Sequence, residues 1–508
     1  MRAARHPLNP RLRALICVRW RAVGLDVVAG ASVALAQAPL LAWYLAFPGL
    51  IWALCRMLRP ATTAGAWWAG WCVGAGYFGA YLTWIVSPFF IDPWIYGWMA
   101  PFAFVLMAFG LGLFWAAAAA LASRFANRIL ALVVLLSAAE LLRGHVLTGF
   151  PWAQLGHLWL GSWAEQMVAL IGATGLTVVT LLAASLPLAH RVWGSGAMAV
   201  LVLCGFGFGQ QRLTGPDPAP RAASLRLVQP NAEQHLKWDP DEARILFERQ
   251  LNMTARTPRA DLTIWPETAV PYLFEYSPEV AGMIASAAGG NKVAIGIQRV
   301  EGNRGWNSLR VVENTGDVIA TYDKFHLVPF GEYMPMGDLI QDWFGIGAFA
   351  AQVGNGYSAG TGPMVLNLGP TLGMVLPLIC YEAVFPDIPR GVATRPDWLL
   401  QITNDAWFGT LTGPFQHFQQ ARLRAIEMGL PLVRVANTGL TGVIDAKGRL
   451  VARLPFGEAG ALDLAEIPGA LPPTPFARFG DSFAFALLAC LGLLALLRPR
   501  PRPRRRHA

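Results

Sequence analysis

Charge is what this chain has least of. Asp, Glu, Lys and Arg make up 14% of the 508 residues, while 55% are hydrophobic and the mean hydropathy is +0.42. A composition this apolar excludes a soluble protein of two or three domains and points to a membrane protein. Acidic residues are missing from both ends: residues 1–22 hold six arginines and no acid, and residues 498–508 hold six more and no acid. Those ends supply +12, so with a net charge of +9 the rest of the chain stands at −3. Basicity confined to the flanks of hydrophobic runs fits cytoplasmic membrane surfaces and anionic lipid, not a groove for phosphates, and excludes nucleic acid as a partner.

Cysteine is scarce too. The six, at positions 17, 55, 72, 204, 380 and 490, include no CxxC pair and form no cluster with histidine at metal spacing. With HExxH also absent, neither a metal nor a cofactor is expected. No GxSxG elbow accompanies His326 or His417, which argues against a Ser-His-Asp arrangement. Cys55, Cys72, Cys204 and Cys490 lie in lipid-like stretches, where cysteine serves as a small hydrophobe, and Cys17 lies in the basic N-terminal arm. That leaves Cys380 alone in the polar middle of the chain, with no partner there for a disulfide.

What is abundant is apolar sequence. Runs at about 24–41, 43–57, 64–88, 96–122, 127–145, 164–189, 193–209 and 482–497 are to be compared with the roughly 20 residues that a membrane-crossing helix needs. They predict a polytopic α-helical membrane protein with about eight transmembrane helices. With the N-terminus inside, Arg56–Arg59, Arg124–Arg128, His190–Arg191 and the arginine-rich tail all fall on the cytoplasmic side, as the positive-inside rule requires. The aromatic connections around Ile91–Trp94 and from Thr148 to Glu165 fall on the other side. The predicted layout is a basic cytoplasmic N-terminus (1–23), a seven-helix membrane domain (24–210), an extracytoplasmic catalytic domain (211–475), an eighth helix (476–497) and a basic cytoplasmic tail (498–508). Ala36-Gln37-Ala38 resembles a signal-peptide cleavage site, and cleavage there would remove one span without moving any later loop. Gly74-Ala75-Gly76-Tyr77-Phe78-Gly79 matches GxGxxG but lies within a hydrophobic run, so close helix packing through Gly70 and Gly74 is its expected role.

After Gly215-Pro216-Asp217-Pro218 the pattern changes to short β-like runs interleaved with helices, which predicts an inserted α/β domain large enough for its own core. Three of its strand ends carry reactive side chains: Ile264-Trp265-Pro266-Glu267, Tyr322-Asp323-Lys324 and Leu378-Ile379-Cys380. A thiol that attacks a carbonyl needs a base and a cation for the oxyanion, roles open to Glu267 and Lys324. The plainer alternatives are a buried, inert cysteine and a surface Glu–Lys pair of little energetic value.

The strings Trp265-Pro266-Glu267-Thr268, Tyr322 through Glu332 (YDKFHLVPFGE) and Ile379-Cys380-Tyr381-Glu382 resemble the signature blocks of the nitrilase, or carbon–nitrogen hydrolase, superfamily. Within it the second block resembles the membrane-bound N-acyltransferase family of bacterial lipoprotein maturation, as do Thr403–Gly409 and Gly149-Phe150-Pro151-Trp152. The resemblance implies an αββα sandwich and ping-pong acyl transfer through a thioester on Cys380. The acyl donor would be a phospholipid, phosphatidylethanolamine above all, and the acceptor the α-amine of a diacylglyceryl-modified N-terminal cysteine on an apolipoprotein. It places the catalytic domain on the periplasmic side of the inner membrane. It also implies supporting roles for Trp238, Glu332, Tyr381 and Glu382, with Glu332 orienting Lys324 and Glu382 bracing the turn. The same triad with water as acceptor would make a membrane-tethered amidase or nitrilase, and a scaffold that merely retains the fold is the non-catalytic alternative. The glycine-rich stretch from Tyr333 to Gly360, with Trp343, Phe344 and Phe349, reads as a lid over the acyl-chain entrance. No second interface is visible, which makes a monomer the expected state.

Overall fold

The computed structural model describes residues 10–237, 239–272, 277–314, 316–335 and 356–497. Helices occupy all eight apolar runs: Pro10–Val33, Trp43–Leu58, Thr63–Tyr81, Ala100–Ala122, Arg128–Arg143, Val168–Ala189, Arg191–Thr214 and Ser482–Leu496. Among the described residues, three helical stretches are by length and composition apolar and long enough to cross a membrane: Pro93–Ala122, Trp163–Ala189 and Arg191–Thr214. The first helix begins at Pro10 rather than at residue 24, since arginine is a good helix former whatever its charge. The 64–88 run divides at Leu82 into an α-helix and a 3₁₀ segment, Thr83–Phe90.

Small residues let these helices approach closely. A Cβ on Gly70 would lie 2.6 Å from the Trp115 carbonyl oxygen, and one on Gly74 would lie 2.9 Å from Gly112 Cα. The glycine-rich string is therefore a helix-packing surface, as its hydrophobic setting predicted.

The middle of the chain folds into two six-stranded sheets among the described residues. Their strands are β1 Leu225–Gln229, β2 Leu262–Ile264, β3 Lys292–Glu301, β4 Arg304–Glu313, β5 Asp317–Asp323, β6 Leu366–Asn367, β7 Met374–Ile379, β8 Trp398–Thr403, β9 Leu432–Ala436, β10 Gly442–Ile444, β11 Leu450–Arg453 and β12 Gly460–Leu464. One sheet runs β12-β1-β2-β3-β4-β5 and the other β11-β10-β9-β8-β7-β6. The central strands pair in parallel, β1–β2–β3 in one sheet and β7–β8–β9 in the other. Parallel strands are covered on both faces and read as continuous apolar runs; β7, β8 and β9 do so almost throughout. Helices Pro240–Thr254 and Pro278–Ala288 cover the first sheet, with Phe247 and Ile284 packed among Val293, Ile295 and Ile297. Helix Gly413–Met428 covers the second, and one apolar cluster runs from Leu378 and Ala421 into Trp115 of helix Ala100–Ala122 and Trp152 of the connection after Arg128–Arg143.

The Thr148–Glu165 connection and the 3₁₀ segment Thr83–Phe90 both meet this domain. Thr83 faces Thr412, the Trp84 and Trp152 indoles donate to Gln416, and Arg422 pairs with Glu165. Arg56 and Arg128 lie at the opposite end of the helices, where Arg56 pairs with Asp26 and Arg128 donates to the Pro60 carbonyl. Ala36, Gln37 and Ala38 are buried, with Gln37 Nε2 donating to the Ala80 carbonyl at 2.9 Å.

Candidate active site

Each reactive side chain stands just past the end of a strand, where the chain leaves the sheet and a side chain can turn inward; β2 and β7 are buried, and β5 is a partly exposed edge strand. Glu267 follows β2, Lys324 follows β5 and Cys380 follows β7. Glu267 is 5% exposed and Lys324 1%, so the surface-pair alternative is excluded. Lys324 Nζ lies 2.8 Å from Glu332 Oε2 and 3.8 Å from Glu267 Oε1. Asn307 Nδ2 bridges the two acids, at 2.6 Å to Glu267 Oε1 and 3.0 Å to Glu332 Oε1. The backbone N–H of Asn404 donates to Glu267 Oε2 at 2.8 Å.

Burial by itself would strip Lys324 of its proton, but Glu332, Glu267 and Cys380 outweigh it and raise its pKa above the usual lysine range. The amine is therefore a fixed cation. Burial, then the carboxylate of Glu267, pushes the Cys380 thiol well up, against Lys324 and a hydrogen bond from Thr403. Cys380 thus rests as a thiol, and a nucleophilic role for such a thiol requires a neighbouring base to take its proton.

The supporting residues separate into different roles. Glu332 holds Lys324 and accepts the Val328 N–H at 2.9 Å. Glu382 sits apart from that ion pair. It accepts the Tyr322 hydroxyl and the N–H groups of Phe325, His326 and Ile379, so one carboxylate ties the Lys324 segment to the Cys380 turn. Burial raises its pKa to about 7, against the N–H groups and Lys324 that favour the charged form. Tyr381 points toward the membrane helices and donates to the Gly149 carbonyl at 3.2 Å. Trp238, Trp343 and Phe344 lie outside the described residues, as does most of the expected lid.

Three contributors escaped the sequence reading. Asn307 lies inside β4, where a scan of strand ends does not look. Asn404 belongs to the noted Thr403–Gly409 block but acts through its backbone. Lys237 is buried behind Glu267, with Nζ at 3.2 Å from the Glu267 carbonyl and 2.5 Å from Thr268 Oγ1. Burial brings Lys237 down to about 8, against the attraction of Glu267.

A sandwich of this build, with a thiol, an amine and a carboxylate gathered inside it, is of the carbon–nitrogen hydrolase class, and residues 221–470 match the family model described as Carbon-nitrogen hydrolase. Residues 29–186 match a second model, Apolipoprotein N-acyltransferase N-terminal domain. Proteins named apolipoprotein N-acyltransferase resemble the chain from end to end. The Caulobacter vibrioides protein is 38% identical over 94% of each chain. The Rhodopseudomonas palustris protein is 36% identical over 95% of this chain and 96% of its own. The chain belongs to the apolipoprotein N-acyltransferase family.

Proposed function

We propose that the chain transfers an acyl group from a phospholipid to the N-terminal amine of a diacylglyceryl-cysteine on apolipoproteins, through a thioester on Cys380. In the first half, Glu267 takes the thiol proton while sulfur attacks the ester carbonyl. The oxyanion forms beside the Lys324 ammonium, and collapse expels the lysophospholipid oxygen, which takes the proton from Glu267. In the second half, the α-amine attacks the thioester and Glu267 carries its proton to the departing sulfur. A C–S bond is made and broken, and the net product is an amide.

The observation that carries this reading is a neutral, buried thiol under the influence of a buried carboxylate and a fixed ammonium, beside the loops of an apolar helix bundle. An acyl-enzyme there is shielded from water, and both substrates are lipids held at the same surface. The reading includes eight spans with the layout given above, the arginine-rich ends in the cytoplasm, the catalytic domain on the periplasmic face of the inner membrane, phosphatidylethanolamine as donor, and a monomer.

The test is Cys380→Ala, assayed in full-length protein with a labelled phospholipid and a diacylated lipopeptide. Loss of both labelled acyl-enzyme and lipopeptide acylation is expected; retained acylation overturns the reading. Wild-type acyl-enzyme that hydrolyses while ignoring the lipopeptide would favour the water-accepting amidase instead.

A further inference from the structure

Cys380 has φ +52°, a left-handed backbone that a non-glycine residue keeps only where its surroundings impose it. The restraint lies behind the thiol. The Cys380 carbonyl accepts Gln401 Nε2 at 3.0 Å and lies 3.1 Å from His417 Nε2. Gln401 Nε2 is also 3.2 Å from His417 Nε2. On the far side of the imidazole, Nδ1 stands 2.9 Å from Asp405 Oδ1. Asp405 Oδ2 accepts Arg434 Nη2 at 2.6 Å, and Arg434 Nη1 returns to Gln401 Oε1. Gln401, Asp405, His417 and Arg434 are all 0% exposed.

The charged groups of this ring select the donors and acceptors, with Arg434 Nη2 also 3.3 Å from His417 Nδ1. Arg434 and the Asp405 carboxylate form the charged pair; burial would raise Asp405, but Arg434 and His417 bring it down to about 2. A carboxylate only accepts, so His417 Nδ1 carries the hydrogen. Burial and then Arg434 keep the imidazole neutral, against Asp405 and the Cys380 carbonyl, which leaves Nε2 as an acceptor. The Gln401 amide then uses one hydrogen on Nε2 and the other on the Cys380 carbonyl, and its oxygen takes Arg434. Its orientation is fixed on every side, and the nucleophile's peptide group is fixed by it.

We propose that Gln401 is a positioning residue for Cys380: its amide, oriented by Arg434, Asp405 and His417, pins the nucleophile's carbonyl and so aims the thiol at Glu267. The inference rests on Cys380 as the nucleophile and deepens that reading.

Gln401→Glu tests it in the full-length enzyme. The replacement keeps the shape and the oxygen facing Arg434 but puts an acceptor where both donors stood. Acyl-enzyme formation is followed with labelled phosphatidylethanolamine in mixed micelles. The rate at saturating lipid should fall by at least about tenfold, with KM within about twofold, because geometry and not lipid binding is lost. His417→Asn, which keeps a donor toward Asp405 but offers Gln401 no ring nitrogen, should slow the same step. The double variant should be little worse than the slower single one, since the residues act as a unit. A wild-type rate in Gln401→Glu, or a raised KM at unchanged rate, overturns the proposal. If Gln401→Glu does not yield monodisperse protein, His417→Asn alone decides by the same criteria. An active Cys380→Ala enzyme would sink the nucleophile assignment itself, an outcome distinct from a normal Gln401→Glu rate in a Cys380-dependent enzyme.

Discussion

A cysteine that ends an apolar strand is ordinarily inert, and Cys380 differs from that case through its neighbours. Burial raises its pKa, so the proposed attack depends on the carboxylate beside it and not on a standing thiolate. His417 is one pH-sensitive group of the site, beside Glu382 and Lys237. The His417 pKa is lowered by burial and Arg434, so below the ordinary imidazole value of about 6.5 the unfolded chain binds a proton that the folded one resists. Its share of stability is therefore present above that pH and lost as pH falls through it. Glu382, whose raised pKa acts in the opposite direction over this range, is common to wild type and variant, so the test is a difference: the melting temperature of the detergent-solubilised wild type relative to His417→Asn should fall between pH 7.5 and 5.5, and an unchanged difference would count against the assignment. Much of this site was legible in the residues, because Glu267, Lys324 and Cys380 each follow a strand that reads as an apolar run. Gln401, Asn307 and Arg434 were not, because a polar residue inside a buried strand gives no local sign of the partner that satisfies it.

At the scale of elements, the sequence pattern worked best where burial is two-sided. β8 and β9 begin and end where their apolar runs do, whereas β11 and β12 went unseen because partly exposed edge strands lack both a run and a clean alternation. Two-residue β6 is too short to carry any period. Among the membrane helices the informative residue is glycine, whose meaning depends on what faces it. Gly70→Leu forces a side chain into the backbone of helix Ala100–Ala122 and should cost about 2 kcal/mol, seen as a lower melting temperature in detergent. Gly110→Leu is the control, since nothing lies within 4 Å of its Cβ position. Equal melting temperatures for the two variants would refute the packing role.

At the scale of the molecule, membrane helices and catalytic domain share one core. Arg422 meets Glu165, Arg212 donates to the Ile426 carbonyl at 3.3 Å, and Trp152 stacks on His417 with ring centroids 5.8 Å apart. None of this was visible in the sequence, since nothing local marks which loop faces which helix across hundreds of residues. A fragment limited to residues 211–475 would expose the face of helix Gly413–Met428 that those loops cover. It is expected to aggregate or bind detergent, and a monodisperse, cooperatively melting fragment would contradict the shared core.

Gln416 gives that shared core a timetable. Its amide oxygen takes the indoles of Trp84 and Trp152, and its nitrogen donates to the Tyr81 carbonyl at 3.0 Å and to Gln37. These bonds span sequence separations from 264 to 379 residues. At roughly 5–20 residues per second of synthesis, the two tryptophans precede their acceptor by tens of seconds. Both indole N–H groups are therefore made before Gln416 exists, so the first half of the chain presents a template that the second half completes on arrival.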